Sequence, residues 1–134
     1  MIYYPIEKLV NAGIDEILVV TGVEHMGDVV NLLGSGKDFG CRFTYKVQDE
    51  AGGIAEALGL AEDFSHGRPL LVILADNIFQ AQLKEYADKF TAQKTGARVL
   101  LKQVQQPQRF GVAQIHNNKV INIEEKPAKP RSNY

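Results

Sequence analysis

The sequence predicts an α/β domain built on a mainly parallel sheet with helices on both faces. Three observations predict it. Helical and strand periodicities alternate along the chain. The apolar runs at 17–21 and 70–74 have the composition of strands buried on both faces. Glycines stand where helices should stop. At 134 residues there is room for one domain. A chain of that size buries roughly two-thirds of the surface that its unfolded form exposes.

The elements follow in order. Pro5 suits the start of a helix, Ile6, Leu9 and Val10 form its apolar stripe, and Gly13 stops it. Residues 17–21 are the first strand. Met26, Val29, Val30 and Leu33 repeat at helical spacing up to Gly34. Cys41, Phe43, Tyr45 and Val47 alternate with Arg42, Thr44 and Lys46, as in a half-buried strand. Ile54, Leu58 and Ala61 mark a helix after Gly52 and Gly53. Residues 70–74 are a second buried strand. Leu83, Tyr86, Ala87 and Phe90 mark a further helix, and 97–104 a strand. Residues 111–116 and 119–124 read as a hairpin around Asn117 and Asn118, because Asn tolerates positive φ. The proline-rich stretch after Lys126 should be extended. Folds of this kind open on a strand with a glycine-rich loop. This chain opens on a helix, so such a strand and loop are expected to be missing in front.

Composition excludes several classes. Fifteen basic and sixteen acidic residues leave a net charge of -1, which argues against a nucleic-acid coat protein or a polybasic membrane binder. One cysteine excludes an intramolecular disulfide framework and a Cys-rich zinc site. No apolar run approaches the roughly 18–20 residues of a membrane span. The first residues lack the basic and apolar regions of a signal peptide. A cytoplasmic protein is the expectation.

Some motifs are discarded. Gly34-Ser35-Gly36-Lys37 resembles the end of a phosphate loop, but Asn31 stands where the first Gly belongs and Asp38 where Ser or Thr would bind magnesium. It also leads into a strand, so it reads as a helix-to-strand turn. Phe39 excludes a dinucleotide fingerprint. His25, His66 and His116 lie far apart without metal-ligand spacing. Cys41 falls on the apolar side of its strand and reads as core. No Gly-x-Ser-x-Gly elbow occurs.

Three places carry candidate chemistry. At residues 48–54, glycines let a ligand approach backbone N–H groups at a helix start. Gln48 there has an amide that both donates and accepts, as a pyrimidine edge requires. A plain strand–helix loop with a polar lip is the alternative. Asp76 and Asn77 follow a buried strand, on the edge where open α/β sheets bind ligands. Asp76 can serve magnesium near nucleotide phosphates, or simply cap a helix. In the third place, Glu125 can accept hydrogen bonds from sugar hydroxyls and Lys126 can neutralise a phosphate. The alternative is a charged strand end before a proline stop.

Taken in order, the blocks at 1–5, 47–58, 74–79, 109–113 and 124–127 make the chain resemble the glucose-1-phosphate thymidylyltransferases, a family of sugar-nucleotidyltransferases. The likeness runs from Met1 to Tyr134. It implies a Rossmann-like nucleotidyltransferase fold, and residues 1–134 as a partial nucleotidyltransferase domain truncated at both ends. It implies a reaction in which dTTP and glucose 1-phosphate give dTDP-glucose and pyrophosphate with magnesium. Gln48 matches the family's base-reading glutamine and Gly53 its backbone contact to the base. Asp76 matches a magnesium-binding aspartate, and Gly111, Glu125 and Lys126 match positions that hold the sugar phosphate. Asp76 and Lys126 are the candidate catalytic residues. Ala75 departs from the family, which usually has Gly before the aspartate. Neither the family's Gly-rich, arginine-bearing loop nor its C-terminal half has a counterpart here. The chain alone is therefore expected to have little or no activity. Homo-oligomers are usual in the family. A non-catalytic nucleotide-sugar-binding module acting with a partner is the alternative function.

Overall fold

The structure, a computed structural model, describes residues 1–93 and 95–134. They form two compact units, Met1–Thr95 and Gly96–Tyr134.

The first unit begins with helix α1 (Tyr3–Asn11). Pro5 lies in its first turn, where N–H groups have no intrahelical acceptor, so the ring costs no hydrogen bond. Ile6 and Leu9 bury one face of the helix. Gly13, at φ 84°, stops it. The N–H of Gly13 then reaches the Val10 carbonyl (2.9 Å) and that of Ile14 reaches Leu9 (3.0 Å), a Schellman pattern that satisfies the last carbonyls.

Strand β1 (Glu16–Gly22) pairs in parallel with β2 (Arg42–Gln48), Glu16 opposite Arg42 and Gly22 opposite Gln48. Parallel strands need a crossover. Here it is a 3-10 turn, helix α2 (Met26–Leu33) and a second 3-10 turn (Lys37–Phe39). The residues that resemble a phosphate loop are the turn from α2 toward β2. The Gly36 carbonyl accepts from the N–H groups of Phe39 (3.0 Å) and Cys41 (3.1 Å), and Ser35 accepts from Phe43 (3.0 Å). Gly36 has φ 93°, and a Cβ there would stand 2.7 Å from the Cys41 carbonyl oxygen. Sterics therefore demand this glycine.

Ile6, Leu9, Ile17, Leu33, Cys41 and Leu83 form the buried core of this unit. Tyr3, Phe39, Phe43 and Tyr45 make a chain of ring contacts with centroids 5.5, 5.8 and 6.1 Å apart. The helix expected across Ile54, Leu58 and Ala61 is split into α3 (Ile54–Gly59) and α4 (Glu62–Ser65). Gly59 stands at the break, in keeping with its weak helix propensity. Helix α5 (Lys84–Thr91) carries Lys84–Asp88 and Glu85–Lys89 pairs one turn apart.

Two expected strands form no ladder among the described residues. Residues 70–74 and 97–104 join no sheet. Leu71 and Ile73 pack on the core while Leu70, Val72 and Leu74 are exposed, so the period of two is present without a ladder. Composition supplies the apolar surface, but a strand exists only with a partner's backbone. Among the described residues β1 pairs on one edge only, with β2. A cavity of about 460 Å³ is lined by Leu18 and Val20 of β1, by Leu71 and Ile73, and by Ile54 and Leu58 of α3. For the same reason β1 is mostly half-buried, with Ile17 alone fully buried.

The second unit is organised by a hairpin, β3 (Gly111–His116) and β4 (Lys119–Glu125). Asn117 (φ 49°) and Asn118 (φ 58°) form its turn in the left-handed region, as their side chains allow. A bulge between Gln114 and Ile115 shifts the register. Val112, Ala113, Pro107 and Pro127 are buried. The chain end is tied down: Ala113 N–H donates to Tyr134 O (2.7 Å) and Val104 N–H to Asn133 O (2.9 Å).

Two outcomes are expected. Gly36→Ala should lower stability by more than the roughly 1–3 kcal/mol of a strained backbone conformation, because a clash with Cys41 is added. Gly13→Ala, where nothing lies within 4 Å of the added Cβ, should cost less. Urea denaturation checks the order. Burial, with a smaller contribution from the Asp15 carboxylate, pushes the Cys41 thiol up from its ordinary value. The folded state then favours the protonated thiol. Its stabilising contribution is full below the unfolded thiol's pKa and is lost as pH rises through the folded one. Alkylation of Cys41 at neutral pH should be slow until urea is added, and Cys41→Ala should flatten the alkaline loss of stability.

Candidate functional site

The candidate residues fall in both units. In the first, β2 ends on Gln48, half-buried and opposite Gly22. No atom lies within 4 Å of where a Gly22 side chain would begin, so the carboxyl ends of the strands are open beside the amide. Gln48 Nε2 donates to the Gly53 carbonyl (3.2 Å) and to Glu56 Oε1 (3.1 Å). Both of its N–H groups are thereby used. An amide nitrogen has no more than two, so the carbonyl oxygen is what Gln48 can offer a ligand.

The two glycines of this loop serve different ends. Gly53 takes φ 85° and ψ -175° just before α3, a backbone state essentially confined to glycine. Gly52 has an ordinary φ, but a Cβ on it would stand 1.5 Å from Glu56 Oε2. The Glu56 carboxylate thus occupies the space a side chain at 52 would fill. Glu56 is missing from the sequence-derived candidates. Its position three residues after the residue preceding the helix is the available signal, since a glutamate there commonly folds back over the helix start.

Asp76 sits beyond 70–74 in a tight turn closed by Asn77 N–H to Leu74 O (3.0 Å). Its carboxylate is exposed, with Asn77 Nδ2 at 3.4 Å from Oδ1. It caps no helix: α5 begins later and its cap position is Leu83. Among the described residues no three His, Cys, Asp or Glu side chains converge as a metal cage. An exposed, acceptor-only carboxylate suits a magnesium ion brought in on nucleotide phosphates, which typically takes one or two protein carboxylates and keeps its waters. It does not suit a preformed closed site.

In the second unit the hairpin register sets Gly111 opposite Glu125. A Cβ on Gly111 would meet Glu125 Oε2 at 3.2 Å, so the glycine leaves room for that carboxylate. Lys126 follows with φ 44°, uncommon for a side chain with a Cβ, and is pinned by its N–H to Phe110 O (3.0 Å). Its ammonium lies 3.7 Å from Glu125 Oε1, both side chains well exposed. Such a surface pair contributes about 0–1 kcal/mol. Lys126 is held by its backbone more than by its charge. The hairpin thus gathers Gly111, Glu125 and Lys126, as β2 and the loop after it gather Gln48 and Gly53.

These features define a class: an α/β protein of the kind that takes ligands at the carboxyl ends of parallel strands. The chain belongs to the nucleotidyl transferase family, whose pattern matches residues 1–134. It is 40% identical to the glucose-1-phosphate thymidylyltransferase of Neisseria meningitidis, over 100% of this chain and 47% of that protein. It is also 40% identical to the enzyme of the same name from Xanthomonas campestris, over 100% of this chain and 46% of that one. A crystal structure of a Bacillus anthracis protein assigned as a glucose-1-phosphate thymidylyltransferase, in complex with sucrose, superposes with a TM-score of 0.95. It is 56% identical and covers 99% of this chain and 54% of its own. The chain thus spans about half the length of the relatives it matches. Among the described residues no helix is long and apolar enough to cross a membrane.

The backbone of Lys126 gives a test. Lys126→Gly should stabilise the protein by about 1 kcal/mol by relieving the left-handed conformation, while Lys126→Ala should not. Thermal melts of the two variants beside the parent check this.

Proposed function

We propose that residues 1–134 belong to a magnesium-dependent enzyme that joins dTTP and glucose 1-phosphate into dTDP-glucose with release of pyrophosphate. The observation that supports this most is the match of the whole chain to a glucose-1-phosphate thymidylyltransferase at 40% identity. The reaction is in-line transfer. A phosphate oxygen of the sugar attacks the nucleotide α-phosphorus, a new P–O bond forms, and the bond to the bridging oxygen breaks as pyrophosphate leaves. Catalysis of this kind rests on positioning and charge neutralisation.

In this reading Gln48 and the backbone at Gly53 hold the base. Glu125 accepts hydrogen bonds from sugar hydroxyls in the space Gly111 leaves, and Lys126 neutralises the incoming phosphate. Asp76 would hold the magnesium ion, which when bound offsets charge on the phosphate oxygens. The conformational cost at Lys126 is what a residue selected for its reach would carry.

Pyrophosphate release by the full-length protein, with dTTP and glucose 1-phosphate, tests the reading. Asp76→Asn should lower turnover by about 100-fold or more, with an unchanged circular dichroism spectrum because the side chain is exposed. Turnover equal to the parent removes the metal role. Residues 1–134 alone should turn over little, since they span about half of the relatives' length. Tight dTDP-glucose binding by the full-length protein without turnover would favour a non-catalytic nucleotide-sugar-binding module.

A further inference from the structure

Lys8 lies in the last turn of α1. An ammonium there ordinarily turns to the carbonyls that end its own helix. Those of α1 are already taken. Ala12 N–H donates to Lys8 O (3.2 Å) and Leu9 O (3.0 Å), and the N–H groups of Gly13 and Ile14 reach Val10 and Leu9. Lys8 reaches instead to a segment 72 residues further on, where Nζ donates to the Gln80 carbonyl (2.9 Å). The same ammonium stands 5.8 Å from the centroid of the Phe79 ring, whose face attracts positive charge. Phe79 in turn is half-buried against the core of the first unit. One side chain of α1 thus grips two successive residues of the segment that carries Asp76.

Residues 75–82 belong to no helix or strand, so no ladder fixes their course. The turn around Asp76 is closed on one side by Asn77 N–H to Leu74 O (3.0 Å). The chain that leaves the turn is held at Phe79 and Gln80, by the core beneath and by Lys8. We infer that Lys8 is a positioning residue for Asp76: its grip on Phe79 and Gln80 fixes the path of the loop and so the direction of the exposed carboxylate. The inference rests on the reading of Asp76 as a magnesium ligand. A ligand whose backbone wanders must be ordered anew each time the ion binds, and residues behind metal ligands commonly spare that cost.

The test uses the full-length protein and two readouts. Lys8→Met keeps the apolar stem and the helix propensity but removes the charge that makes both contacts. The magnesium concentration for half-maximal pyrophosphate release should rise by about tenfold, with kcat at saturating magnesium changed by no more than about twofold. Lys8→Arg, which can still donate to a carbonyl and lie over a ring, should restore the parent value. In the metal-free protein, hydrogen exchange at the Asn77 amide reports on the loop without turnover. It should quicken by about tenfold in Lys8→Met, with the amides of β1 and β2 unmoved. Phe79→Leu keeps an apolar side chain on the core but removes the ring, and should move both readouts the same way by a smaller factor. This second variant covers the case in which Lys8→Met does not fold.

An unchanged magnesium requirement in Lys8→Met, beside an Asp76→Asn variant that has lost turnover, overturns the role of Lys8 alone. A raised requirement with β1 and β2 amides quickened as much as Asn77 also overturns it, because the effect is then general destabilisation. Asp76→Asn turnover equal to the parent overturns the metal reading of Asp76, and the role of Lys8 falls with it, as it does if the parent releases no pyrophosphate.

Discussion

The parallel pairing of β1 with β2 is the constraint from which the first unit follows. Parallel strands cannot be joined by a tight turn, so the chain between them must cross over, and α2 is that crossover. The crossover brings Leu33 and Cys41 onto the core that Ile6, Leu9 and Ile17 begin. It needs a sharp return at Gly34 and Gly36, which is why the residues that resemble a phosphate loop serve geometry instead. The in-register pairing also decides where the chemistry lies. With Gly22 opposite Gln48, both strands end together, and the amide stands at an open carboxyl edge.

Beyond that edge, polar atoms are already committed to one another. Gln48 alone could donate or accept. Beside Gly53 and Glu56, both of its N–H groups are taken up within the chain. In the second unit a register plays the corresponding part. Gly111 and Glu125 are far apart in sequence, yet β3 and β4 set them face to face. Lys126 emerges immediately after, in a conformation that costs energy and is held by the Phe110 carbonyl. In both places a glycine makes room for a carboxylate: Gly52 for Glu56, Gly111 for Glu125.

Much of the fold was legible from residue patterns, and the failures have one cause. Local periodicity identified α1, α2 and α5, because a helix closes its own hydrogen bonds. The Asn117–Asn118 turn was legible because few side chains tolerate positive φ. The runs at 70–74 and 97–104 read as strands but join no sheet among the described residues, since a ladder depends on a neighbour that no local pattern contains. The cavity shared by β1 and Leu71 and Ile73 shows the apolar surface such pairing would cover. Of the candidate site, Gln48, Gly53, Asp76, Gly111, Glu125 and Lys126 were named from sequence, and the structure brings Gln48 to Gly53 and sets Gly111 opposite Glu125, beside Lys126. Glu56 was not named, because an exposed glutamate on a short helix looks like any solvated charge until its partner is known.

By itself, then, the sequence determined the alternation of elements, the glycines at which helices stop, and the residue types able to bind phosphates, sugars and bases. Those are local properties of dihedral preference and side-chain chemistry. Only the tertiary structure decided that Gln48 presents an oxygen, that Glu125 lies over Gly111, and that Lys126 is strained. Each depends on atoms distant in sequence competing for the same hydrogen bonds or the same volume. Such competition exists only once the chain has folded.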